Sequence, residues 1–189
     1  MRAADIDDAA RRISGVVSKT PPAVERAVVG HHRRAGLPQA RGPAGGPVLQ
    51  AAWCLQPADA TEPDEKAAGG VVCSSAGNHA QGFALACRSM GIHGRVYVPA
   101  KTPKQKRNRI RYHGGDFIEL IVGGKTYDMA AQAALDDVAR TGATLVPPYD
   151  DVRTMAGQGT IAVEILDQLG AEPDLVIVPV GGGVGASAA

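Results

Sequence analysis

The chain has 189 residues and a formal net charge of +1, from 20 basic and 19 acidic residues. This length is typical of one domain, and the balanced charge gives no reason to expect a nucleic acid partner. No apolar run approaches the roughly 20 residues that cross a membrane, and the N-terminus does not resemble a signal peptide. The cysteines Cys54, Cys73 and Cys87 form no spaced metal or redox pair, which favours reduced thiols. We therefore expect a soluble cytoplasmic protein with no membrane partner.

Residues 3–18 carry apolar side chains at helical spacing, with acidic residues early and basic residues late, and predict an N-terminal helix. Residues 21–63 break this regularity. They are rich in Ala, Gly, Pro and Arg, and one interpretation is a disordered or linker segment.

From Lys66 onward, strand-like and helix-like segments alternate. The predicted strands are Val71–Cys73, Arg95–Val98, Phe117–Val122, Thr144–Val146 and Leu175–Val180. The predicted helices are His79–Met90, Pro103–His113, Thr126–Arg140 and Thr154–Leu169. This alternation predicts an α/β fold with right-handed crossovers, a doubly wound parallel sheet covered on both faces.

The segment Ser74–Gly82 forms a small-residue turn between the first of these strands and the helix after it. A turn there brings backbone N–H groups and a positive helix N-terminus to one point, which favours an anion. Ser75, Asn78 and His79 add hydrogen-bonding side chains. The alternative is that Asn78 is a plain N-cap.

The same turn resembles the Ser-Ala-Gly-Asn-His-Ala-Gln-Gly motif of the pyridoxal phosphate (PLP)-dependent threonine dehydratases, or threonine ammonia-lyases, of the tryptophan-synthase-β-like fold group. Five further motifs keep the family's spacing from Lys66 to Gly183. They are Arg95–Pro99 with Thr102–Lys106, Gly114-Gly115 with Thr126–Asp128, Pro147–Asp150, Gly157–Thr160 and Val178–Gly183.

The resemblance implies a site for each part of the reaction. Ser75, Ala76, Gly77 and His79 would receive the substrate carboxylate, and Asn78 would lie beside the phenolic oxygen of PLP. The loop of Gly181, Gly182 and Gly183 would hold the cofactor phosphate, since only glycine lets several N–H groups close on one anion.

The resemblance also implies an activity, the deamination of L-threonine, and of L-serine, to a 2-oxo acid and ammonia. This is the first step of isoleucine biosynthesis, catalysed by a homo-oligomer that binds a small amino-acid substrate. Cysteine synthases and serine racemases share the fold group and remain alternatives.

The Schiff-base lysine of the family is missing, so no catalytic residue is assigned. The family carries it in a Ser-Tyr-Lys-Leu-Arg-Gly-Ala-like motif upstream of the turn, where this chain has the irregular segment. If that segment is translated one base out of frame, residues 45–55 can encode Val-Val-Arg-Ser-Tyr-Lys-Leu-Arg-Gly-Ala-Tyr. We infer a frameshift, and residues 184–188 can likewise encode the family's Gly-Cys-Ile-Ser-Gly in another frame. The chain as written is then a catalytically inactive fragment.

These inferences divide the chain into an N-terminal helix (1–20), an out-of-frame segment (21–64), a small substrate-side α/β domain (65–160) and the start of a truncated cofactor domain (161–189).

Other chemistry is less well supported. The basic run from Lys101 to Arg111 is interpreted as a solvated helix face, because it lacks the interleaved aromatic residues of a nucleic-acid surface. His79, His93 and His113 lack the spacing of metal ligands, and no metal is expected. A nucleotide-binding module is a third hypothesis, although the glycine loop has no P-loop or GxGxxG pattern. Tyr127 and Asp128 are interpreted only as a helix start.

Overall fold

The structure of the chain is a computed structural model that describes residues 2–14 and 69–176. The strands in these ranges are β1 (Val71–Ser74), β2 (Gly94–Val98), β3 (Ile118–Val122) and β4 (Thr144–Leu145). The helices are α1 (Ala3–Ile13), α2 (Asn78–Met90), α3 (Lys104–Gly114), α4 (Tyr127–Thr141) and α5 (Val152–Leu169). A 3₁₀ turn, Gly115–Phe117, leads into β3.

Every one of these elements begins within two residues of its predicted start, because the sequence marks helix ends chemically. The Thr126 hydroxyl accepts a hydrogen bond from the backbone of Met129 and caps α4. Gly91, Gly142 and Gly170 end α2, α4 and α5 in the left-handed conformation that glycine adopts without strain.

Some predictions fall outside the described residues. They include the segment 21–64, the end of the N-terminal helix beyond residue 14, and the loop Gly181–Gly183. The predicted strand Leu175–Val180 lies mostly outside as well. Its first two residues are exposed and belong to no strand.

The four strands form one parallel sheet in the order β3-β2-β1-β4. Val71 of β1 is paired with Gly94 of β2 on one side and with Thr144 of β4 on the other. The predicted doubly wound parallel α/β class is therefore confirmed.

Apolar packing covers one face of the sheet. Helices α2 and α3 pack there around a core of fully buried residues, namely Cys73, Ala80, Phe83, Ala84, Val96, Val98 and Ile110. Gly94 lets α2 approach β2 closely, since a Cβ atom at this position would lie 2.7 Å from Phe83 Cε1 and Cys87 Sγ. The opposite face has a smaller apolar cluster of Val72, Ala134 and Ala143 beneath α4.

An ionic network also holds α4 to this opposite face. The Asp137 side chain is 2% exposed and accepts hydrogen bonds from Arg95 of β2 and from Arg140. Arg95 Nη2 also donates to Thr141 Oγ1 at 3.0 Å. Burial alone would raise the pKa of the Asp137 carboxyl, but the hydrogen bond and charge of Arg95 lower it below 3.8.

Helix α1 packs along α5, and Gly159 of the Gly157–Thr160 motif makes room for it. A Cβ atom at Gly159 would lie 2.7 Å from Ile6 Cδ1. The motif therefore serves helix packing within the described part of the chain.

We expect Asp137→Asn to destabilise the chain by about 2 kcal/mol, because the variant loses a charged hydrogen-bond acceptor for Arg95 inside the fold. Urea unfolding at pH 7 measures this. The matched control is Asp136→Asn, since that exposed neighbour bonds only Gln132 in the described structure, and its effect should stay within about 0.5 kcal/mol.

The Asp137 carboxylate also makes the free energy of unfolding depend on pH in the acid range. Its folded-state pKa lies below the unfolded value of 3.8, so its contribution is complete above that pH and is lost as the pH falls through the folded pKa. The difference in unfolding free energy between the parent chain and Asp137→Asn should therefore shrink below pH 3.8. A difference that is constant with pH would contradict this assignment.

Candidate functional site

The candidate site lies at the carboxyl end of β1, where the direction of the sheet reverses. The chain runs outward from β1 to β2 and β3, and then crosses back to place β4 on the other side of β1. In open parallel sheets, ligands bind in the crevice outside the strand ends at such a switch point. The segment Ser74–Gly82, predicted as a turn before a helix, begins there. Ser74 ends β1, residues 75–77 form the turn, and Asn78 begins α2.

The turn is held by its own side chains and leads directly into α2. Gly77 N donates a hydrogen bond to Ser75 Oγ at 3.2 Å, and Gly77 is the N-cap in an extended conformation. Asn78 is the first helical residue, so the alternative that Asn78 is the N-cap is wrong. None of the described side chains caps α2, which leaves the start of this helix suited to an anion.

The predicted residues of the turn differ in their exposure. Ser75 is buried, Ala76 and Gly77 are half-buried, and Asn78 is exposed. A Cβ atom at Gly77 would meet only Ser75 Oγ, at 3.9 Å, so the described residues leave room above the turn. The turn thus leaves an open, glycine-floored space, meaning one with no side chain above Gly77, and the amide side chain of Asn78 lies at its edge.

His79 is oriented differently from the other predicted residues. Its side chain is 3% exposed, and its ring Nε2 lies 3.1 Å from the carbonyl oxygen of Val146 at the end of β4. A carbonyl only accepts, so Nε2 carries the proton. Burial lowers the pKa of His79 to about 4, although the bond to Val146 opposes this shift. The side chain therefore joins the first turn of α2 to the end of β4.

The loop between β4 and α5 follows Val146, the partner of His79, and is held by its own side chains. The Asp151 carboxylate caps α5 by accepting from the backbone of Arg153 at 2.8 Å and Thr154 at 3.3 Å. Thr154 Oγ1 donates back to the Pro147 carbonyl at 3.2 Å. Asp150 takes a left-handed φ of 62°, which aspartate tolerates better than most residues. This loop carries Tyr149.

Tyr127 is a site residue that the sequence prediction missed. It was interpreted only as part of a helix start, yet its hydroxyl donates a hydrogen bond to the Ser74 carbonyl at 3.3 Å. Ser74 directly precedes the turn. Burial, followed by the hydrogen bond with Tyr149, raises the pKa of Tyr127 to about 12.

Gln81, in the same motif, is also buried close to the start of α2. It is 5% exposed, and its Oε1 atom has no hydrogen-bond partner among the described residues. Gln81 lies three residues after Asn78, on the same face of the helix, and helical side chains lean toward the N-terminus.

The remaining predictions about chemistry concern surfaces and metals. The basic run lies on α3, where Lys104, Lys106, Arg109 and Arg111 are exposed, as expected of a solvated helix face. In residues 2–14 and 69–176, no three His, Cys, Asp or Glu side chains converge as a metal site would need. None of the helices described is long and apolar enough to cross a membrane.

Comparisons with known proteins identify the family to which the chain belongs. A family model described as pyridoxal-phosphate dependent enzyme matches residues 48–189, which is most of the chain. The chain belongs to this family. The predicted cofactor class is therefore confirmed at the level of the family.

The curated relatives are more specific. The L-threonine dehydratase biosynthetic IlvA of Mycobacterium tuberculosis (strain ATCC 25618 / H37Rv) is 63% identical over 187 residues, covering 95% of this chain and 42% of the relative. The protein of that name from Mycobacterium leprae is 62% identical over 188 residues, 96% of this chain and 42% of the relative. The chain thus spans about two fifths of the length of these relatives.

Solved structures share the fold. The T.th. threonine deaminase matches with a TM-score of 0.84 and 31% identity, covering all of this chain and 59% of that one. Maize serine racemase matches with a TM-score of 0.85 and 27% identity, over 98% of this chain and 55% of that one.

We expect the neutral His79 ring to make stability depend on pH. Its pKa is about 4 in the folded chain against 6.5 for the free side chain, so its contribution is complete above pH 6.5 and is lost as the pH falls to 4. A shift of this size corresponds to roughly 3 kcal/mol. His79→Asn, which does not titrate, should therefore flatten the dependence of the unfolding free energy on pH in this window.

The control for this measurement is His93→Asn, because His93 is an exposed histidine outside the turn. It should keep the slope of the parent chain. Equal slopes for His79→Asn and the parent chain would show that His79 is not held neutral.

Proposed function

We propose that this chain carries the substrate-side part of a PLP-dependent threonine dehydratase, which deaminates L-threonine, and also L-serine, to a 2-oxo acid and ammonia. The observation that supports this most strongly is the uncapped, glycine-floored turn at the switch point with Asn78 exposed at its edge. The relatives at 62% and 63% identity, which bear the name threonine dehydratase, support the choice of substrate.

In this proposal the turn binds the substrate carboxylate. The backbone N–H groups of Ala76 and His79 and the hydroxyl proton of Ser75 would contact the carboxylate, while Gly77, whose N–H is bonded to Ser75 Oγ, would leave the space open for it. The α2 dipole favours a negative charge there. The absence of a side chain at Gly77 leaves this space open, which fits a ligand that approaches the backbone closely.

PLP fits the same edge of the turn. Asn78 would hold the phenolic oxygen, and Gly181, Gly182 and Gly183, outside the described residues, would hold the phosphate. When bound, PLP supplies the electron sink that allows the α-proton and then the β-hydroxyl to leave. The protein residues orient the amino acid for these steps through its carboxylate.

We further propose that the chain as written is inactive, because it lacks the lysine that attaches the cofactor. Its six lysines include none in a Ser-Tyr-Lys-like motif. The frameshift over residues 21–64 accounts for this. The relative from Bacillus subtilis aligns with only 119 residues of this chain, close to the length of 65–189, which supports a divergent segment. The family model, however, begins to match at residue 48, within that segment.

The rest of the proposal rests on the family resemblance. It comprises the division at residues 20, 64 and 160, a cytoplasmic location, a homo-oligomeric assembly and a role in isoleucine biosynthesis.

A serine racemase activity is the second candidate, favoured by the TM-score of 0.85 with the maize enzyme. The higher identity to threonine dehydratases weighs against it.

The test is to incubate the purified chain with PLP and L-threonine. We expect no 2-oxobutanoate and no covalent PLP adduct by mass spectrometry after borohydride reduction, because loss of such a lysine typically costs several orders of magnitude in rate. The control is the protein translated from a frame-corrected gene, which should gain both properties. Turnover by the uncorrected chain would contradict its assignment as inactive.

Sequencing the encoding DNA across the codons for residues 21–64 tests the frameshift separately. We expect two compensating single-base changes, one near each end of this segment, whose joint correction restores the lysine motif and leaves the later residues in frame. A clean single frame would leave a divergent family member instead.

A further inference from the structure

Gln81 carries a buried polar group that the proposed function does not use. Its side chain is 5% exposed, and its Oε1 atom has no hydrogen-bond partner among the described residues. A buried acceptor that stays unpaired destabilises a fold, and native structures rarely contain one without a reason. An acceptor kept under these conditions points to a donor that reaches it in the working protein.

The position of Gln81 on α2 places its side chain next to that of Asn78. The Gln81 backbone N–H donates to the Gly77 carbonyl at 3.4 Å, so Gln81 lies one helical turn beyond the N-cap. Asn78 is the first residue of α2, three positions earlier, and residues at this spacing have Cβ atoms about 5–6 Å apart. Because helical side chains lean toward the N-terminus, the longer Gln81 side chain extends toward the Asn78 amide.

The Asn78 amide needs a fixed orientation to act on a ligand. Its side chain is exposed, so the amide can exchange the places of its oxygen and its nitrogen by rotating. In only one of these orientations does it present an N–H group to the phenolic oxygen of PLP. An amide oxygen such as Gln81 Oε1 only accepts, so it can bond the Asn78 nitrogen but not the Asn78 oxygen. That nitrogen has two protons, one for Gln81 and one for the ligand.

We propose that Gln81 is a positioning residue. Its Oε1 atom accepts one Nδ2 proton of Asn78, and the other proton then points to the phenolic oxygen of the cofactor. The bond forms when a ligand covers the turn, because water no longer competes for the Asn78 amide. This inference rests on the proposed function and adds to it the group that sets the direction of the Asn78 side chain.

The test uses pyridoxine 5′-phosphate and its 3-deoxy analogue, which differ only in the phenolic oxygen. Neither has the aldehyde of PLP, so neither forms Schiff bases with the six lysines of the chain. Each is titrated into the full ¹⁵N-labelled chain, and Kd is read from amide shifts. The parent chain should bind pyridoxine phosphate about three- to tenfold more tightly, the worth of one hydrogen bond.

Gln81→Met keeps a side chain of similar length but removes the acceptor. The preference for pyridoxine phosphate should fall below about twofold, because the Asn78 amide is no longer oriented. The urea midpoint should not fall, because the variant loses only an unpaired buried acceptor. The matched control is Gln132→Met, since Gln132 is exposed on α4 and bonds Asp136, and it should keep the preference.

A double-mutant cycle separates positioning from a structural role. Asn78→Ala removes the amide that Gln81 orients and should abolish the preference by itself. Adding Gln81→Met to Asn78→Ala should then change neither Kd. If Gln81→Met instead weakens both ligands equally, with Asn78 present or absent, its role is structural and the inference is overturned.

A measurement on the parent chain alone covers the case in which Gln81→Met does not fold. The Asn78 side-chain N–H₂ group gives its own pair of peaks in the same spectra. Pyridoxine phosphate should shift both Nδ2 protons downfield, one for each acceptor. If only one proton shifts, or if Gln81→Met keeps the preference, the Gln81 assignment fails while the cofactor site stands. If pyridoxine phosphate does not bind the parent chain, the proposed function fails, and this inference fails with it.

Discussion

The hydrogen bond from His79 to the Val146 carbonyl is the constraint on which the site depends. It joins the first turn of α2 to the end of β4 across the point where the sheet changes direction. The Val146 backbone N–H already donates to the Val72 carbonyl of β1 at 2.8 Å, and the His79 bond extends this link to the first turn of α2. Because the ring is buried and neutral, the bond forms where water cannot compete for the carbonyl. This contact therefore holds the start of α2, and with it the turn, against the end of β4.

The sequence predicted the sheet and helices well because their signals are local. Apolar periodicity, helix caps and glycine stops all act within a few residues, and they placed β1, α2 and α4 correctly. The position of the turn could also be predicted, since it follows from the order of a strand and a helix. These features needed no knowledge of distant residues.

Side-chain roles at the turn were harder to predict because distant parts of the chain decide them. The His79 side chain could hydrogen-bond a ligand, but its ring Nε2 instead donates to the carbonyl of Val146, 67 positions later. The sequence pattern around Tyr127 indicates only the start of a helix, because its hydrogen-bond partner Ser74 is 53 positions away. In each case a contact outside the expected local pattern overrode a reasonable interpretation.

The two faces of the sheet are held by different forces, and this has a consequence for local opening. Helix α2 is attached by apolar contacts, whereas α4 depends in large part on the carboxylate of Asp137. Conditions that neutralise or screen charge would release α4 first, in a partial unfolding that leaves α2 in place. Because Tyr127 is the first residue of α4, such an opening would break its hydrogen bond to the Ser74 carbonyl and expose the end of β1, while the start of α2 stayed in place.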